Sequence, residues 1–264
     1  MSDWPRNIGV VGCGAMGRAM AAGLLRDRPD LASSAILVDA IAAAAQGAAD
    51  EVGGRVGSVG DLPGCDLIVL AVKPKDAEAA LTRIGATLTP QTVLLSVIAG
   101  WEIDRIRALA PSAGIARTMP NLAVRHGAGL VAIATRDVPP DTQTVLHAVL
   151  APLGVVIDMP EHLIGPATAL VGSGPGFVAL VAEGLEDGAV AIGFPRDQAR
   201  AMVQAVLAGT AALLADGTDP ADLRQRVSSP AGTTIEGIGV LERGSVRAHV
   251  ADAVRAAARR ASEL

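Results

Sequence analysis

A six-residue run, Gly12-Cys13-Gly14-Ala15-Met16-Gly17, is the first place in the 264-residue chain where residue type and spacing point to chemistry. It follows the apolar stretch 8–11 and precedes an Ala-rich segment, so this G-x-G-x-x-G pattern falls between an expected strand and an expected helix. In that setting Gly12 permits a tight turn, Gly14 lets backbone approach a pyrophosphate, and Gly17 allows close helix–strand packing. Asp39 stands 22 positions after Gly17, at the end of the next expected strand. Its carboxylate would accept from a ribose 2′-hydroxyl and repel a 2′-phosphate, and Ala40-Ile41-Ala42 offers no cation to bind one. A dinucleotide site that prefers NADH to NADPH is therefore expected. The alternative is that Asp39 only caps the helix starting near Ala40.

Pro74 stops the apolar run 67–72 and can begin a helix, which leaves Lys73 at the carboxyl edge of the expected sheet, where ligands of such folds lie. A solvated loop lysine is the plain alternative. The stretch Ser228-Ser229-Pro230-Ala231-Gly232-Thr233-Thr234-Ile235-Glu236 reads as a Thr233/Glu236 capping box ahead of apolar Ile235, Ile238 and Leu241. Backbone N–H groups from Thr234 onward, with the hydroxyls of Ser229, Thr233 and Thr234, would form an anion site sized for one carboxylate or phosphate. An ordinary capped turn is the commoner use of such a pattern. Each charge-assisted hydrogen bond contributes roughly 1.5–3 kcal/mol, so three or four hold a small acid without arginine.

Gly172-Ser173-Gly174-Pro175-Gly176 reads as close helix packing. It is not a nucleophile elbow, because Val171 stands where the first glycine belongs and no strand precedes it. Neither the four histidines, His126, His147, His162 and His249, nor the two cysteines fall at metal-ligand spacing, so no metal is expected.

Positioning these residues requires a particular order of elements. Short Val/Ile/Leu-rich runs at 8–11, 36–38, 67–72, 93–97, 115–118, 130–134 and 155–158 alternate with Ala-rich segments at 15–26, 41–51, 76–84 and 141–150. Strands buried on both faces have this continuous apolar character, and the βαβ alternation implies a parallel sheet covered by helices on both sides. After residue 160 only helix-length segments appear, broken at Gly193-Phe194-Pro195 and Thr218-Asp219-Pro220. The expected fold is α/β: a Rossmann-type, doubly wound dinucleotide-binding domain over 1–159, then an all-helical domain over 160–264. The helix over 177–192 is apolar around most of its circumference, as a helix buried on several sides would be. A helical unit of that kind commonly completes its burial against a second copy, so a homodimer is expected.

Composition narrows the chemistry. Half the residues are hydrophobic, the net charge is −5, and there are two Trp, two Phe and no Tyr. Lys73 and Lys75 are the only lysines. These absences count against a Tyr-Lys dehydrogenase dyad and against a pyridoxal enzyme with its Schiff-base lysine, and an acidic chain with few aromatics is no nucleic-acid binder. Residues 1–7 hold no apolar run of signal-peptide length, and no window reaches about 18 apolar residues without a charge or a Gly/Pro break suited to a turn. A cytoplasmic protein with free Cys13 and Cys65, and no membrane partner, is expected.

The glycine loop, Ala71-Val72-Lys73-Pro74, Met119-Pro120-Asn121, Gly172-Ser173-Gly174-Pro175, Gly193-Phe194-Pro195-Arg196 and Ser229-Pro230-Ala231-Gly232-Thr233-Thr234 occur in the order found in pyrroline-5-carboxylate reductases. The closing segment from Arg247 to Leu264 also resembles theirs, and the likeness spans essentially the whole chain. It implies NAD(P)H-dependent reduction of the cyclic imine 1-pyrroline-5-carboxylate to L-proline, the last step of proline biosynthesis. It places coenzyme contacts on Gly12, Gly14, Ala15, Met16 and Gly17, on Ala71, Val72, Lys73 and Pro74, and on Ala99 and Gly100, with Asn121 near the nicotinamide. The substrate carboxylate falls to Ser229, Gly232, Thr233 and Thr234, with the Thr234 hydroxyl by the ring nitrogen. The resemblance further implies an interlocked homodimer, assembled in some members into pentamers of dimers.

Six positions, at four places in the chain, depart from the family pattern. Ala231 replaces the first glycine of Pro-Gly-Gly-Thr-Thr and would be strained if that position needs positive φ. Leu122-Ala123 replaces Thr-Pro, Val171 replaces Ser, and Gly176-Phe177 replaces Ala-Tyr, which leaves a related cyclic imine open as substrate. A β-hydroxyacid dehydrogenase would need a lysine in the helical half, which is missing after Lys75. A non-catalytic NAD(H) sensor would not need the substrate loop.

Overall fold

The apolar runs become strands, as their composition dictates. A computed structural model describes residues 4–263, so Met1 and Leu264, the outer ends of the two expected domains, lie outside the described residues, as does the start of the leader reading over 1–7. In chain order the elements are β1 (Ile8–Val11), α1 (Ala15–Leu25), α2 (Pro29–Ser34), β2 (Ile36–Val38), α3 (Ala42–Val52), β3 (Arg55–Val56), β4 (Leu67–Leu70), α4 (Ala77–Gly85), β5 (Val93–Ser96), α5 (Ile103–Leu109), β6 (Gly114–Pro120), β7 (Gly129–Arg136), α6 (Pro140–Leu150), β8 (Gly154–Asp158) and α7 (Glu161–Val171). They form one sheet of order β3-β2-β1-β4-β5-β6-β7-β8. The chain winds outward from β1 to β3, then returns to start β4 on the other side of β1. The topological switch point therefore lies between β1 and β4.

Alternate strand residues face opposite ways, and each face acquires its own helices. Ile8, Val10, Leu67 and Val69 pack with Met20 and Leu24 of α1, Ala48 of α3 and Leu146 and Leu150 of α6. Val11, Ile68, Leu70 and Leu94 pack with Leu81 and Ile84 of α4, Ile106 of α5 and Ile164 of α7. The doubly wound architecture is as expected, with one correction: the sheet is not wholly parallel. β7 runs antiparallel to β6, and β8 is parallel to β7. Only residues 121–128 separate β6 from β7, and a parallel crossover needs a dozen or more. The edge strand β3 and the helices α2 and α5 were not anticipated from composition; each is short.

By packing, the chain divides into one unit that runs to Gly172 and includes the last residues from Ala257, and a second over Ser173–Ala256. Helix α7 thus belongs with the sheet. Glu161, its first residue, explains the attachment. Its Oε1 accepts from the N–H of Ile103 at 2.5 Å and from Nη1 of the buried Arg117 of β6 at 3.2 Å, and its Oε2 accepts from Arg136 of β7 at 3.2 Å. Arg117 Nε has no partner, so this guanidinium depends on Glu161 for its countercharge.

The second unit is helical: α8 (Gly174–Ala191), α9 (Arg196–Ala215), α10 (Pro220–Arg226), α11 (Thr233–Arg243) and α12 (Val246–Ala261), the last ending in the first unit. Gly193, at φ +107°, turns the chain between α8 and α9, and Asp219 caps α10 through the Ala221 N–H at 2.7 Å. Glu186 and Asp187 of α8 pair with Arg196, and Glu186 also with Arg200, both arginines on α9. The apolar surface of α8 is not buried within the single chain: Leu180 is 69% and Val178 53% exposed. Glu161–Ala191 and Arg196–Ala215, of 31 and 20 residues with mean hydropathies of 1.5 and 1.2, are long and apolar enough by length and composition to cross a membrane. Pro166 and the Gly172-Ser173 step interrupt the first.

Removing one member of a buried ion pair strands the other, which costs about 3–5 kcal/mol. Glu161 is partly exposed, so Glu161→Ala is expected at the lower end, about 3 kcal/mol, read as a lower denaturant midpoint for the sheet unit.

Candidate active site

The loops after β1, β4, β5 and β6 all leave the same edge of the sheet, because these strands are parallel neighbours. Gly12 adopts φ +95°, and a Cβ on it would lie 2.6 Å from the Ala71 carbonyl carbon. A Cβ on Gly17 would lie 1.8 Å from the Gly12 carbonyl oxygen. Nothing stands within 4 Å of the place where a Cβ on Gly14 would be. The three glycines thus have different reasons to be glycine: strained backbone, close packing and an open approach. α1 begins at Ala15 with no side-chain cap and no acidic residue in its first turn, which leaves the N–H groups of Ala15, Met16 and Gly17 for an incoming anion. An open face over Gly14 beside an uncapped helix start fits a dinucleotide pyrophosphate.

The other coenzyme-side residues lie along this edge. Ala71 continues from β4 and donates its N–H to the Val11 carbonyl at 2.8 Å, then Val72, the exposed Lys73 and Pro74 lead into a short 3-10 turn, Pro74–Asp76. Ala99 and Gly100, the latter at φ +73°, follow β5. Asn121 follows β6, and its Oδ1 accepts from the N–H groups of Ala123 and Leu130 at 3.2 and 3.4 Å, leaving its Nδ2 as the free donor.

Asp39 does more than either reading of the sequence anticipates. Oδ2 accepts from the Cys13 N–H at 2.6 Å and Oδ1 from the Ile41 N–H at 2.8 Å. It is not the N-cap of α3, since that position is Ile41. The carboxylate ties the glycine loop to the end of β2 and retains unused lone pairs for a ribose hydroxyl. Burial first, then the Asp39 charge, pushes the Cys13 thiol up to about 11, and burial does the same for Cys65. Both are free, buried and protonated at neutral pH, hence not nucleophiles. Arg18, one residue past the motif, donates twice to Glu51 Oε2 at 2.9 and 2.7 Å and locks α1 to α3. Nothing in the local sequence pairs those two.

The hydroxyl-rich loop lies in the helical unit. The Gly232 N–H returns to the Ser229 carbonyl at 3.0 Å, Pro230 takes the second position and Ala231 the third at φ +56°. This is a type II turn, which favours glycine at the third position. The expected Thr233/Glu236 capping box does not form. Gly232 is the N-cap, Thr233 is the first residue of α11, and no side chain caps the helix. The turn delivers the chain one residue too early for Thr233 to cap. The anion reading gains from this, because the N–H groups of Thr233, Thr234 and Ile235 have no intrahelical acceptor. Among the described residues the hydroxyls of Ser229, Thr233 and Thr234 make no hydrogen bond within the protein, whereas Ser228 is spent on the Arg224 carbonyl at 2.7 Å. A Cβ on Gly232 would fall 2.3 Å from Ser229 Oγ, so a larger residue there would displace that hydroxyl. Of the departures from the family pattern, Val171 is buried in the core of the sheet unit, and Leu122 is exposed beside Asn121.

Residues 161–264 match a family described as pyrroline-5-carboxylate reductase dimerisation, and residues 7–100 match NADP oxidoreductase coenzyme F420-dependent. The chain is 34% identical to pyrroline-5-carboxylate reductase 3 of Rattus norvegicus over 98% of this chain and 96% of that one. Among solved structures, a pyrroline-5-carboxylate reductase from Coxiella burnetii superposes with a TM-score of 0.87 at 26% identity, covering 98% of each chain. The Plasmodium falciparum pyrroline carboxylate reductase with NADP bound shares the fold, with a TM-score of 0.85 at 24% identity and 98% coverage of each chain.

A non-glycine residue in the left-handed region costs roughly 1–2 kcal/mol, partly offset by the extra freedom glycine has when unfolded. Ala231→Gly is therefore expected to stabilise the helical unit by about 1 kcal/mol, measured as a raised denaturation midpoint.

Proposed function

The chain belongs to the pyrroline-5-carboxylate reductase family, NAD(P)-dependent oxidoreductases of proline biosynthesis, and from that premise we propose how its own residues carry out the reaction. The observation that carries the proposal is the pair of uncapped helix starts, one per unit. The first, at α1, has an open glycine face suited to a pyrophosphate; the second, at α11, carries three unpaired hydroxyls suited to a carboxylate.

In the sheet unit, Gly12, Gly14, Ala15, Met16 and Gly17 take the pyrophosphate. Asp39 takes the adenosine ribose, and Ala71, Val72, Lys73, Pro74, Ala99, Gly100 and Asn121 line the rest of the coenzyme path. The bound nicotinamide supplies a hydride to the C=N carbon of 1-pyrroline-5-carboxylate. In the helical unit Ser229, Gly232 and Thr233 hold the substrate carboxylate by hydroxyl and backbone N–H donors, and the Thr234 hydroxyl orients the ring nitrogen. No lysine, tyrosine or histidine stands in this loop to act as an acid, so the imine arrives already protonated. The gain asked of the protein is positional, and holding reactants in place supplies about 7–11 kcal/mol.

A 2′-phosphate would meet the Asp39 carboxylate, which has no cationic partner among the described residues. We therefore assign NADH as the preferred coenzyme, although NADP is named for one matched family and one matched structure. A reducing cytoplasm suits the two free thiols. The protein is a homodimer through its helical region, and the uncovered apolar faces of α8, including Val181 and Leu185, are its natural contact surface.

The deciding assay follows oxidation of NADH and of NADPH with 1-pyrroline-5-carboxylate and with a six-membered cyclic imine. Proline formation with a higher kcat/KM for NADH is expected; equal or better use of NADPH removes Asp39 from the coenzyme choice, and inactivity on every imine leaves a binding protein. Thr234→Val is expected to lower kcat/KM by about 10- to 1,000-fold, the range of one positioned hydrogen bond. An unchanged value takes Thr234 out of the site. Replacing Val181 and Leu185 together by glutamate should convert the dimer to monomer in sedimentation.

A further inference from the structure

Trp101, next to the Ala99-Gly100 loop, is one of only two tryptophans and is 3% exposed. Its indole N–H donates to the Pro74 carbonyl at 3.2 Å, across from the loop after β5 to the loop after β4. The Arg105 guanidinium of α5 lies over the ring, 3.6 Å from its centroid, and reaches Glu78 of α4 at 3.6 Å. One side chain thus joins the Lys73-Pro74 turn, the Gly100 turn and the starts of two helices.

Packing alone does not ask for this arrangement. An aliphatic or phenyl side chain would fill the same apolar space between α4 and α5, without an N–H to satisfy. The indole nitrogen instead finds its acceptor in the one carbonyl that begins the 3-10 turn after Lys73, a carbonyl that also accepts the Ala77 N–H. Gly100, at φ +73°, turns the chain immediately before Trp101, and Lys73 and Pro74 are exposed, so beyond the apolar packing of Val72 and Ala99 the indole bond gives the two loops a directional polar link.

We propose that Trp101 is a positioning residue for the coenzyme: its indole clasps the loops after β4 and β5 in the spacing that the coenzyme requires. This rests on reading that edge of the sheet as the coenzyme site. Trp101 touches neither reactant, so its effect falls on coenzyme affinity and not on the chemical step.

Trp101→Phe keeps a ring under Arg105 and removes the donor. The expected result is a KM for NADH raised about three- to tenfold, the scale of one neutral hydrogen bond, with kcat and the imine KM within twofold of the parent. An unchanged KM for NADH overturns the proposal, as does a loss shared equally by kcat and both KM values, which a general loosening of the fold would produce. A second measurement needs no change at Trp101. In Trp4→Phe, Trp101 is the only indole, and titration with NAD+ is expected to change its emission saturably, at the same concentration that half-saturates the parent. Emission that stays constant while NAD+ binds overturns the clasp. Failure of the parent itself to bind NADH or NAD+ would be distinct, and would remove the coenzyme site and this proposal together.

Discussion

The approach of the Gly12 turn to Ala71 and Gly17 is the constraint on which the rest of the molecule depends. At the switch point between β1 and β4 the chain must turn sharply, start a helix and let a second strand end alongside, all within van der Waals contact. The space left is smaller than a methyl group at Gly12 and at Gly17, while at Gly14 it opens to solvent. Because that packing is tight, the first turn of α1 is aimed along the sheet edge with its N–H groups uncovered, and the loops after β4, β5 and β6 follow in register. Asp39 adds a charge-assisted bond from β2 to the same turn, so the group that would discriminate between coenzymes also holds the loop that binds their shared part.

The helical unit obeys a different economy. Helix α8 carries apolar residues around most of its circumference, yet it contains no buried residue within a single chain. The family matched by this region is one of dimerisation, so a second copy is the natural cover for that face, whose hydropathy also satisfies a membrane-spanning criterion. The Glu186 and Asp187 pairs with Arg196 and Arg200 place charge at the α8–α9 corner, where a bilayer-buried hairpin would have to desolvate it. The substrate loop in this unit uses backbone in the same way as the glycine loop does. A turn with positive φ at Ala231 presents an uncapped helix start, and the hydroxyls around it remain unspent.

Much of this was legible in the chain. Continuous apolar runs announced strands buried on both sides, and the glycine spacing announced a turn that only that spacing allows. The hydroxyl-rich loop announced a helix start with donors in excess. What escaped followed from contacts distant in sequence or from lengths of only a few residues. The antiparallel β7 was in principle readable from the short 121–128 link, since a parallel return cannot be made so briefly. The capping box failed because a local pattern of Thr and Glu cannot reveal that the preceding turn would hand the cap to Gly232.

The sequence by itself determined the class of fold, the two helix starts that offer backbone donors and the lack of a lysine, tyrosine or histidine in the hydroxyl-rich loop, because each follows from residue type and local spacing. Only the tertiary structure decided that Asp39 bonds the Cys13 amide, that Trp101 reaches across to Pro74, that Glu161 neutralises buried Arg117, and that Val171 is buried in the core of the sheet unit. These pairs are separated by 26, 27 and 44 residues in the three hydrogen-bonded cases. At such separations propensity and periodicity carry no information about which side chains meet; the sheet order and the helix packing settle it, since they alone bring the partners within bonding distance.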